Sequence, residues 1–496
     1  MNKLKETLLI EKLIEISSGE KVSFHTPGHK FGKMFAKLKC DRILENLTII
    51  DTTELTGTDN LHQPTGIIKK AQENAAEAFN SDETFFLVNG STAGVYAMIM
   101  SAIEPGNKII IGRDCHQSVI NALILGDIQP IYIYPEVDVQ NGITLGISPE
   151  KVEALIVEHK EIKAVLITYP TYYGIASDLK KITEIAHKYD KLMLVDGAHG
   201  AHLGLSEKLP ITPMECGVDA VVESTHKTLP SLTQSSMLHI KGNRIDREKL
   251  RFMLRVHQSS SPSYILMASL DLATNIYKEK GNYLMDNLLY NIREFKNRIK
   301  NVEGVTLLDE KITERNSVEA IDQTKIYIKL RGILGSRFEQ VLRKDYAIQM
   351  EMSNEKGVLG ITSIANEKED FSKLAIAIEK IYQNYSKEQN SEGTWKSLIT
   401  NNNCYLYSTV PKCIYAPRKA YYMKKKPISL KKSVGLVCGE SIIPYPPGIP
   451  LIVAGELIRE DTVNRIQQIK REKTKLLGMK DTNMEYIEII HTNEVK

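Results

Sequence analysis

The chain has 496 residues, of which 25% are charged and 42% hydrophobic, and its formal net charge is +3 at pH 7. This length exceeds that of one ordinary hydrophobic core, so we expect two or three domains. The small net charge argues against a dedicated nucleic-acid-binding protein, which usually carries a pronounced basic excess. No apolar stretch is long enough to span a bilayer, which argues against an integral membrane protein.

The N-terminus and the cysteines indicate a cytoplasmic location. The segment MNKLKETLLIEKLIEISSGEK looks amphipathic and helical, and it contains acidic residues that a signal peptide lacks. The six cysteines are scattered without the spacing of disulfides or of metal ligands, so no metal site is predicted. We therefore expect residues 1–35 to form a helical N-terminal arm on a reduced, cytoplasmic protein.

From about residue 65 to residue 240, short apolar runs alternate with helical stretches. The runs are TFFLVN, NKIIIG, QPIYIYP, IKAVLITYP, KLMLVDG and VDAVVES. Short, nearly all-apolar strands separated by helices predict a mostly parallel sheet that is covered on both faces. We assign residues 36–260 to this large domain. Right-handed crossovers bring the carboxyl ends of its strands to one edge, where ligands bind in such sheets.

The pattern changes beyond residue 260. A long helical stretch that begins at SYILMASLDL is followed by short strands and by helices near 335–344 and 368–385. We assign residues 261–385 to this long helix and a small α+β domain. Residues 386–403 are polar and turn-rich, which indicates a linker. Residues 404–496 have a composition of their own and are predicted to form a C-terminal α+β domain.

Polar residues follow the predicted strands of the large domain. NGSTAG (89–94) opens a helix, where free N–H groups and the helix dipole suit a phosphate; a simple Ser or Thr helix cap explains it equally well. Asp196 comes at the end of LMLV, and His199 follows it by three residues. Lys227, in STHKTL, comes one further helix and strand later. This order along the strand ends predicts a single site at one edge of the sheet.

One cofactor requires such a set of residues. Pyridoxal phosphate needs a lysine for its Schiff base, a carboxylate that keeps its pyridine nitrogen protonated, and donors for its phosphate. It also uses a flat group against its ring. Lys227 and Asp196 fit the first two roles, and His116, in DCHQS, fits the last. The predicted phosphate-binding residues are Gly90, Ser91, Thr92, Ser224 and His226.

Longer segments resemble the Orn/Lys/Arg decarboxylase family. They are FHTPGHK (24–30), TDNLHQPTG (58–66), FLVNGSTAGVYAMI (86–99), DCHQSVINALIL (114–125), TYYGIASDL (171–179), VDGAHGAHLG (195–204), STHKTLPSLTQSSMLH (224–239), SSSPSYILMASLD (259–271) and PYPPGIPLIVAGE (444–456). The resemblance implies the type I fold of pyridoxal-phosphate-dependent transferases, α/β with a mostly parallel, seven-stranded sheet. It also implies decarboxylation of arginine, lysine or ornithine in polyamine-related metabolism. The chain resembles the short form of the family, without an N-terminal receiver-like domain.

Carried over by position, the resemblance implies a role for each residue of the set. Lys227 binds the cofactor covalently, Asp196 pairs with its ring nitrogen, and His116 stacks on the ring. His199 approaches the ring hydroxyl or the substrate carboxylate. Gly197 departs from the family, because related sequences usually have Glu at this position within DEAHGAH.

The substrate residues are predicted from the same resemblance and from the need of a basic substrate for an anionic pocket. His25 and His29 flank a Pro-Gly turn that the resemblance assigns to the rim of the active site. Asp59 and Glu440 are candidates for binding a cationic side chain. Residues 259–261 resemble a segment that reaches the cofactor phosphate across a dimer interface, so we expect a homodimer or an assembly of dimers.

Two other functions stay open at this point: another reaction on the same cofactor, such as transamination or elimination, and a non-catalytic, cofactor-binding regulatory role. Aminotransferases of this fold usually bind the substrate α-carboxylate through an arginine late in the small domain. Here no arginine occurs between Arg343 and Arg418. An intact set of Lys227, Asp196 and His116 argues against a degenerate, non-catalytic member. We therefore expect decarboxylation of a basic amino acid, arginine first and lysine next.

Overall fold

The computed structural model describes residues 8–19, 21–40, 45–389, 411–445, 448–472 and 475–491. The predicted linker falls largely on residues 390–403, which lie outside the described residues. Residues 386–389, at its start, form the end of a helix.

The first part of the chain contains the N-terminal arm and the large domain. Its helices are α1 (Leu8–Ser17), α2 (Lys33–Lys37), α3 (Ile67–Ala78), α4 (Gly90–Ala102), α5 (Gln117–Gly126), α6 (Pro149–Glu158), α7 (Leu179–Lys188), α8 (Thr225–Thr228) and α9 (Arg247–His257). Its strands are β1 (Val22–Phe24), β2 (Glu83–Leu87), β3 (Lys108–Gly112), β4 (Gln129–Ile133), β5 (Val137–Asp138), β6 (Ile143–Thr144), β7 (Ala164–Thr168), β8 (Ile175–Ala176), β9 (Leu192–Asp196), β10 (Ala220–Glu223) and β11 (Ser236–Ile240).

A seven-stranded sheet in the order β2-β11-β10-β9-β7-β3-β4 forms the centre of the large domain. The strands from β10 to β4 are parallel, and β11 is antiparallel to both of its neighbours. Ile109 and Ile111 of β3 pack in one buried cluster and Ile110 packs in another. Successive residues thus enter cores on opposite faces, which confirms the prediction of a mostly parallel sheet covered on both sides. The six predicted apolar strands are all present, and β11 is an additional one.

The middle of the chain forms the long helix and a smaller sheet. Its elements are α10 (Tyr264–Ile299), β12 (Val305–Leu307), β13 (Ala320–Ile321), β14 (Lys325–Leu330), α11 (Gly335–Tyr346), β15 (Ile348–Met350), β16 (Met352–Ser353), β17 (Val358–Ile361) and α12 (Lys368–Gln389). Strands β12, β14, β17 and β16 form an antiparallel sheet. Strand β1 pairs in parallel with β15, with Phe24 opposite Met350, so the N-terminal arm is joined to this region.

The last part of the chain has a separate apolar core. Its elements are α13 (Pro417–Tyr422), β18 (Lys425–Ser429), β19 (Ile443–Pro444), α14 (Glu460–Glu472), β20 (Leu476–Leu477) and β21 (Tyr486–Ile490). The core contains Ile442, Ile452 and Ile466, all completely buried. This independent packing is consistent with the predicted C-terminal domain, whose exact limits stay a prediction.

A buried ion pair joins the C-terminal region to the large domain. The Nε and Nη2 atoms of Arg113 lie 3.1 and 2.9 Å from the two carboxylate oxygens of Glu456, and both side chains are at most 1% exposed. Arg113 Nη1 also donates to the Pro450 carbonyl at 2.7 Å. Two parallel N–H···O bonds fix the orientation of such a pair as well as its distance. The segment around residues 448–456 is therefore held against the loop that follows β3.

Helix α1 differs from the other described helices, because none of its residues is buried. Its large apolar side chains are 46–82% exposed, and they are Leu8, Leu9, Ile10, Leu13, Ile14 and Ile16. Among the residues that the structure describes, no helix combines the length and the apolar character that a membrane crossing requires.

We predict that the Arg113–Glu456 pair stabilises the folded protein. In Glu456→Gln the guanidinium keeps its packing but loses its counter-charge, so we expect a loss of about 3–5 kcal/mol and a lower calorimetric melting temperature. The double variant Arg113→Met/Glu456→Leu removes both charges and is expected to recover much of that loss. An unchanged melting temperature in the single variant would show that the pair does not hold the two regions together.

Candidate active site

Lys227 lies at the carboxyl edge of the central sheet. β10 ends at Glu223, and the chain turns at once into the short helix α8, which carries the lysine. Lys227 Nζ lies 3.1 Å from His199 Nε2. Burial lowers the pKa of Lys227, although Asp196 and Glu351 act in the opposite direction. A lysine with a lowered pKa holds more unprotonated amine, the form that acts as a nucleophile.

Asp196 is the last residue of β9, in the middle of the sheet. It pairs with Thr168 of β7 on one side and with Val222 of β10 on the other. Its side chain is buried, and one carboxylate oxygen accepts the amide N–H of Ala198 at 3.2 Å. Its charge counteracts the effect of burial on the pKa of both Lys227 and His116. Asp196 is therefore the buried anion to which both of these side chains respond.

His116 caps the N-terminus of α5. Its Nδ1 accepts the Ser118 N–H at 3.2 Å, which leaves the proton of the neutral ring on Nε2. Burial lowers the pKa of His116 and favours this neutral form. Gly448 packs against the other side of the ring, where a Cβ atom would lie 3.0 Å from Nε2. The imidazole is thus fixed in orientation by α5 and by the C-terminal region.

The predicted phosphate site lies between two neighbouring loops. Gly90 and Ser91 begin α4, whose first turn has no side-chain cap, and Thr92 is exposed there. Ser224 Oγ donates to Ser91 Oγ at 2.8 Å, which joins this turn to the loop before Lys227. Free amide groups at a helix start together with hydroxyl groups suit a phosphate. His226 lies in α8, directly before Lys227, and its Nδ1 is 2.7 Å from the Ser235 carbonyl oxygen, which orients its ring.

His199 connects Lys227 to the small domain. Its pKa is well below the ordinary value because of burial and of the nearby Lys227, so the ring is neutral. Its Nδ1 is buried without a hydrogen-bond partner among the described residues. The Tyr172 ring lies 4.5 Å from the His199 ring, and Tyr172 Oη donates to Glu351 Oε1 at 2.5 Å. A continuous path of side chains therefore links the lysine to Glu351.

Sequence reasoning missed a second group of buried ionisable residues beside this path. Asp322 Oδ2 lies 3.1 Å from His202 Nε2 and 3.6 Å from Lys325 Nζ, and all three side chains are at most 2% exposed. Lys325 acts to lower the pKa of Lys227 and of His199. These residues were not predicted, because Asp322 and Lys325 lie just before and at the start of an otherwise ordinary apolar strand.

The two predicted histidines of the N-terminal arm lie close to the site. His25 and His29 lie on the arm next to α8, where the Gly28 N–H donates to the His226 carbonyl at 2.7 Å. His25 Nε2 is 3.9 Å from Glu351, whereas His29 stacks on Phe35 and has its pKa lowered by burial to about 4.

The two predicted acidic residues bind backbone amides instead. Burial opposes ionisation of Asp59, but N–H groups of the loop and of the start of α3 outweigh it and lower its pKa to about 2. Glu440 accepts the N–H groups of Lys480 and Glu488, at 2.9 and 3.1 Å, inside the C-terminal region. These contacts explain both carboxylates as structural groups, and their role toward a substrate stays a prediction.

Gly197, at the position where related sequences usually have Glu, is closely packed. A Cβ atom on Gly197 would lie 2.6 Å from Val221 Cγ2 and 3.3 Å from Glu223 Cγ. These side chains fill the space that a glutamate at this position would need to leave the backbone. Lys227, Asp196 and His116 keep their places without it.

The comparisons with known proteins agree with this geometry. Residues 7–346 match the model of the Orn/Lys/Arg decarboxylase major domain, and residues 400–480 match that of the Orn/Lys/Arg decarboxylase C-terminal domain. An arginine decarboxylase of Bacillus subtilis (strain 168) is 34% identical over 487 residues, 98% of each chain. An arginine decarboxylase of Halalkalibacterium halodurans is 33% identical over 496 residues, which is 100% of this chain and 99% of that one.

Solved structures support the fold. A lysine decarboxylase of Francisella novicida has a TM-score of 0.78 at 22% identity, over 97% of this chain and 81% of that one. Aminotransferases are further structural neighbours. The predicted fold class, the type I fold of pyridoxal-phosphate-dependent transferases, is thereby confirmed. The chain belongs to the Orn/Lys/Arg decarboxylase family and is an amino-acid decarboxylase.

Proposed function

We propose that this protein uses pyridoxal phosphate to decarboxylate a basic L-amino acid, arginine first and lysine next. The observation that carries the proposal is the convergence of Lys227, Asp196 and His116 at one sheet edge, beside the linked hydroxyls of Ser91 and Ser224. Relatives named arginine decarboxylase support the choice of substrate. A role in polyamine-related metabolism and a cytoplasmic location belong to the same proposal.

The residues present fit pyridoxal phosphate. Ser91, Ser224 and the free N–H groups of α4 would hold its phosphate, and His116 would lie against its ring. Several buried side-chain atoms around Lys227 have no hydrogen-bond partner among the described residues, as expected where a polar ligand belongs. These atoms are Thr225 Oγ1, Thr228 Oγ1 and His199 Nδ1.

The chain's own groups define the chemistry. When bound, pyridoxal phosphate supplies a ring that accepts the electron pair left by departing CO₂. Asp196 would hold the proton on the ring nitrogen, since a buried carboxylate stabilises a positive charge beside it. Lys227 Nζ and His199 Nε2, 3.1 Å apart, are placed to return a proton to the substrate Cα.

The small domain favours decarboxylation over transamination. The stretch between Arg343 and Arg418 contains no arginine that could bind the substrate α-carboxylate. A buried acid of this domain, Glu351, instead accepts a hydrogen bond from Tyr172, whose ring contacts His199 beside Lys227. A carboxylate repels the α-carboxylate, which suits a reaction in which that group leaves as neutral CO₂.

Lys227→Ala should abolish the covalent attachment of the cofactor. The wild-type protein, loaded with pyridoxal phosphate and reduced with borohydride, is expected to carry the added mass on the peptide that contains Lys227. The variant is expected to lack both that adduct and the visible absorption band. An adduct on another lysine would refute the assignment.

Asp196→Asn tests the buried carboxylate separately from cofactor binding. The amide keeps the shape of the side chain but cannot hold the ring nitrogen protonated. We expect retained cofactor and a fall in kcat of about 10²-fold or more, the scale of single preorganised electrostatic contacts. Near-native kcat in a cofactor-loaded variant would contradict this role.

We also propose a homodimer or an assembly of dimers. Ser259, Ser260 and Ser261 are exposed, and the apolar face of α1 is uncovered within one chain. We expect light scattering at assay concentration to give at least twice the mass of the chain, 55.9 kDa. A fully active monomer would contradict the proposal.

A further inference from the structure

Helix α5 of the large domain is bound at both of its ends by the C-terminal region. At its start, the carbonyl oxygen of Gly448 accepts the Gln117 N–H at 3.0 Å. At its end, Arg418 Nη1 donates to the carbonyl oxygens of Ile124 and Leu125 at 3.0 and 2.8 Å. The first N–H groups and the last carbonyl groups of a helix have no partner within that helix. The C-terminal region therefore supplies partners at both ends of α5.

The contact at the start of α5 lies directly beside His116, which caps the helix and precedes Gln117. Gly448 has a φ of 89°, in the left-handed region that favours glycine. A Cβ atom on Gly448 would lie 3.0 Å from both Cδ2 and Nε2 of His116. The backbone of the C-terminal region thus lies against the imidazole, and it leaves no room there for a side chain.

A third contact fixes the loop that leads into the same helix. Arg113, three residues before His116, is completely buried and binds both carboxylate oxygens of Glu456. The loop before His116 and the helix after it are therefore bound to the same part of the chain. We call Arg418, Gly448 and Glu456 the α5 clamp.

The directional bonds of the α5 clamp add a restraint that apolar packing does not provide. Val119 and Leu123 of α5 are completely buried in the core on one face of the sheet. Apolar burial is non-directional, so it holds the helix against the sheet but resists sliding along the helix axis less strongly. Hydrogen bonds at the two ends of α5 fix its axial position, and the position of His116 at its N-terminus is fixed with it.

We propose that the α5 clamp positions His116 for the cofactor, so that docking of the C-terminal region is coupled to cofactor binding. This inference rests on the proposed use of pyridoxal phosphate. Arg418 lies at the far end of a ten-residue helix, about 15 Å from His116 along the axis. Arg418 and Gly448 are positioning residues, because they act on the site through His116.

Arg418→Gln tests the α5 clamp at its point farthest from the site. The Arg418 side chain is 40% exposed, so its replacement is expected to leave the fold intact. We expect the dissociation constant of pyridoxal phosphate, measured by titration of the apoprotein at room temperature, to rise about 10-fold. The visible circular dichroism of the bound cofactor is expected to fall, because it reports the asymmetry of the surroundings of the ring.

Arg459→Gln is the matched control for Arg418→Gln. The Arg459 side chain is also 40% exposed, and its Nε lies 3.8 Å from Asp461 within the C-terminal region. This variant is expected to change neither the dissociation constant nor the circular dichroism. Equal effects of the two variants would mean that any loosening of the C-terminal region weakens the site, which would overturn the inference.

Gly448→Ala tests the contact with the imidazole directly. The added methyl group is expected to displace the His116 ring and to weaken cofactor binding at least as much as Arg418→Gln does. Gly435→Ala is its control, because Gly435 has a similar φ of 83°, and an added Cβ would meet no heavy atom of the described residues within 4 Å apart from its chain neighbours. Equal weakening by both alanine variants would assign the effect to backbone strain and overturn the inference.

A double-mutant cycle with His116→Ala shows whether the α5 clamp acts through this histidine. Two substitutions that act through one side chain are not additive. Once the imidazole is absent, Arg418→Gln is therefore expected to leave the dissociation constant of pyridoxal phosphate unchanged. A 10-fold effect that persists in the His116→Ala background would overturn the inference, as would wild-type affinity in Arg418→Gln alone.

The wild-type measurement distinguishes this inference from the proposed function. A wild-type protein that binds pyridoxal phosphate and releases CO₂ from arginine, together with an Arg418→Gln variant that binds the cofactor equally tightly, overturns the role of the α5 clamp alone. A wild-type protein that does not bind pyridoxal phosphate overturns the proposed function and this inference with it.

Discussion

The burial of Asp196 at the end of β9 is the constraint on which the rest of the site depends. A carboxylate in the middle of a covered sheet loses its hydration and needs positive or hydrogen-bonding partners. Its effect on the pKa of Lys227 and of His116 shows that both side chains respond to this one anion. A protonated ring nitrogen of pyridoxal phosphate would complete the compensation. The geometry of the sheet and the proposed cofactor are linked through this residue.

The large domain and the core of the site could be predicted from the sequence because both depend on local patterns. Apolar runs marked six of the seven strands, and the parallel arrangement then required Asp196 and Lys227 to meet at one edge. β11 was not predicted because its residues, SMLHI, include a serine and a histidine among the apolar ones. It also follows soon after the STHKTL motif, so the whole segment was interpreted as part of the site. β11 runs antiparallel to both of its neighbours, β10 and β2. Local sequence patterns do not show the direction of a strand or which strands it pairs with.

Glu351 could not be predicted, because its environment depends on pairing between residues far apart in the chain. The strand AIQMEMS shows a single acid among apolar residues, which alone fits an exposed edge position as well. Only the register of β1 on β15 places that acid beside Thr26 and Tyr172. Glu440 was a candidate because a basic substrate needs an anionic pocket, yet its oxygens accept backbone N–H groups of the C-terminal region. Composition shows that an acid is present, but not which groups it binds.

Release of labelled CO₂ from carboxyl-labelled arginine, measured together with the amine product, tests the central claim most directly. The account predicts one CO₂ for each amine formed, with turnover that depends on added pyridoxal phosphate. Formation of a 2-oxo acid without CO₂ would contradict it, because the same lysine and carboxylate would then be carrying out transamination.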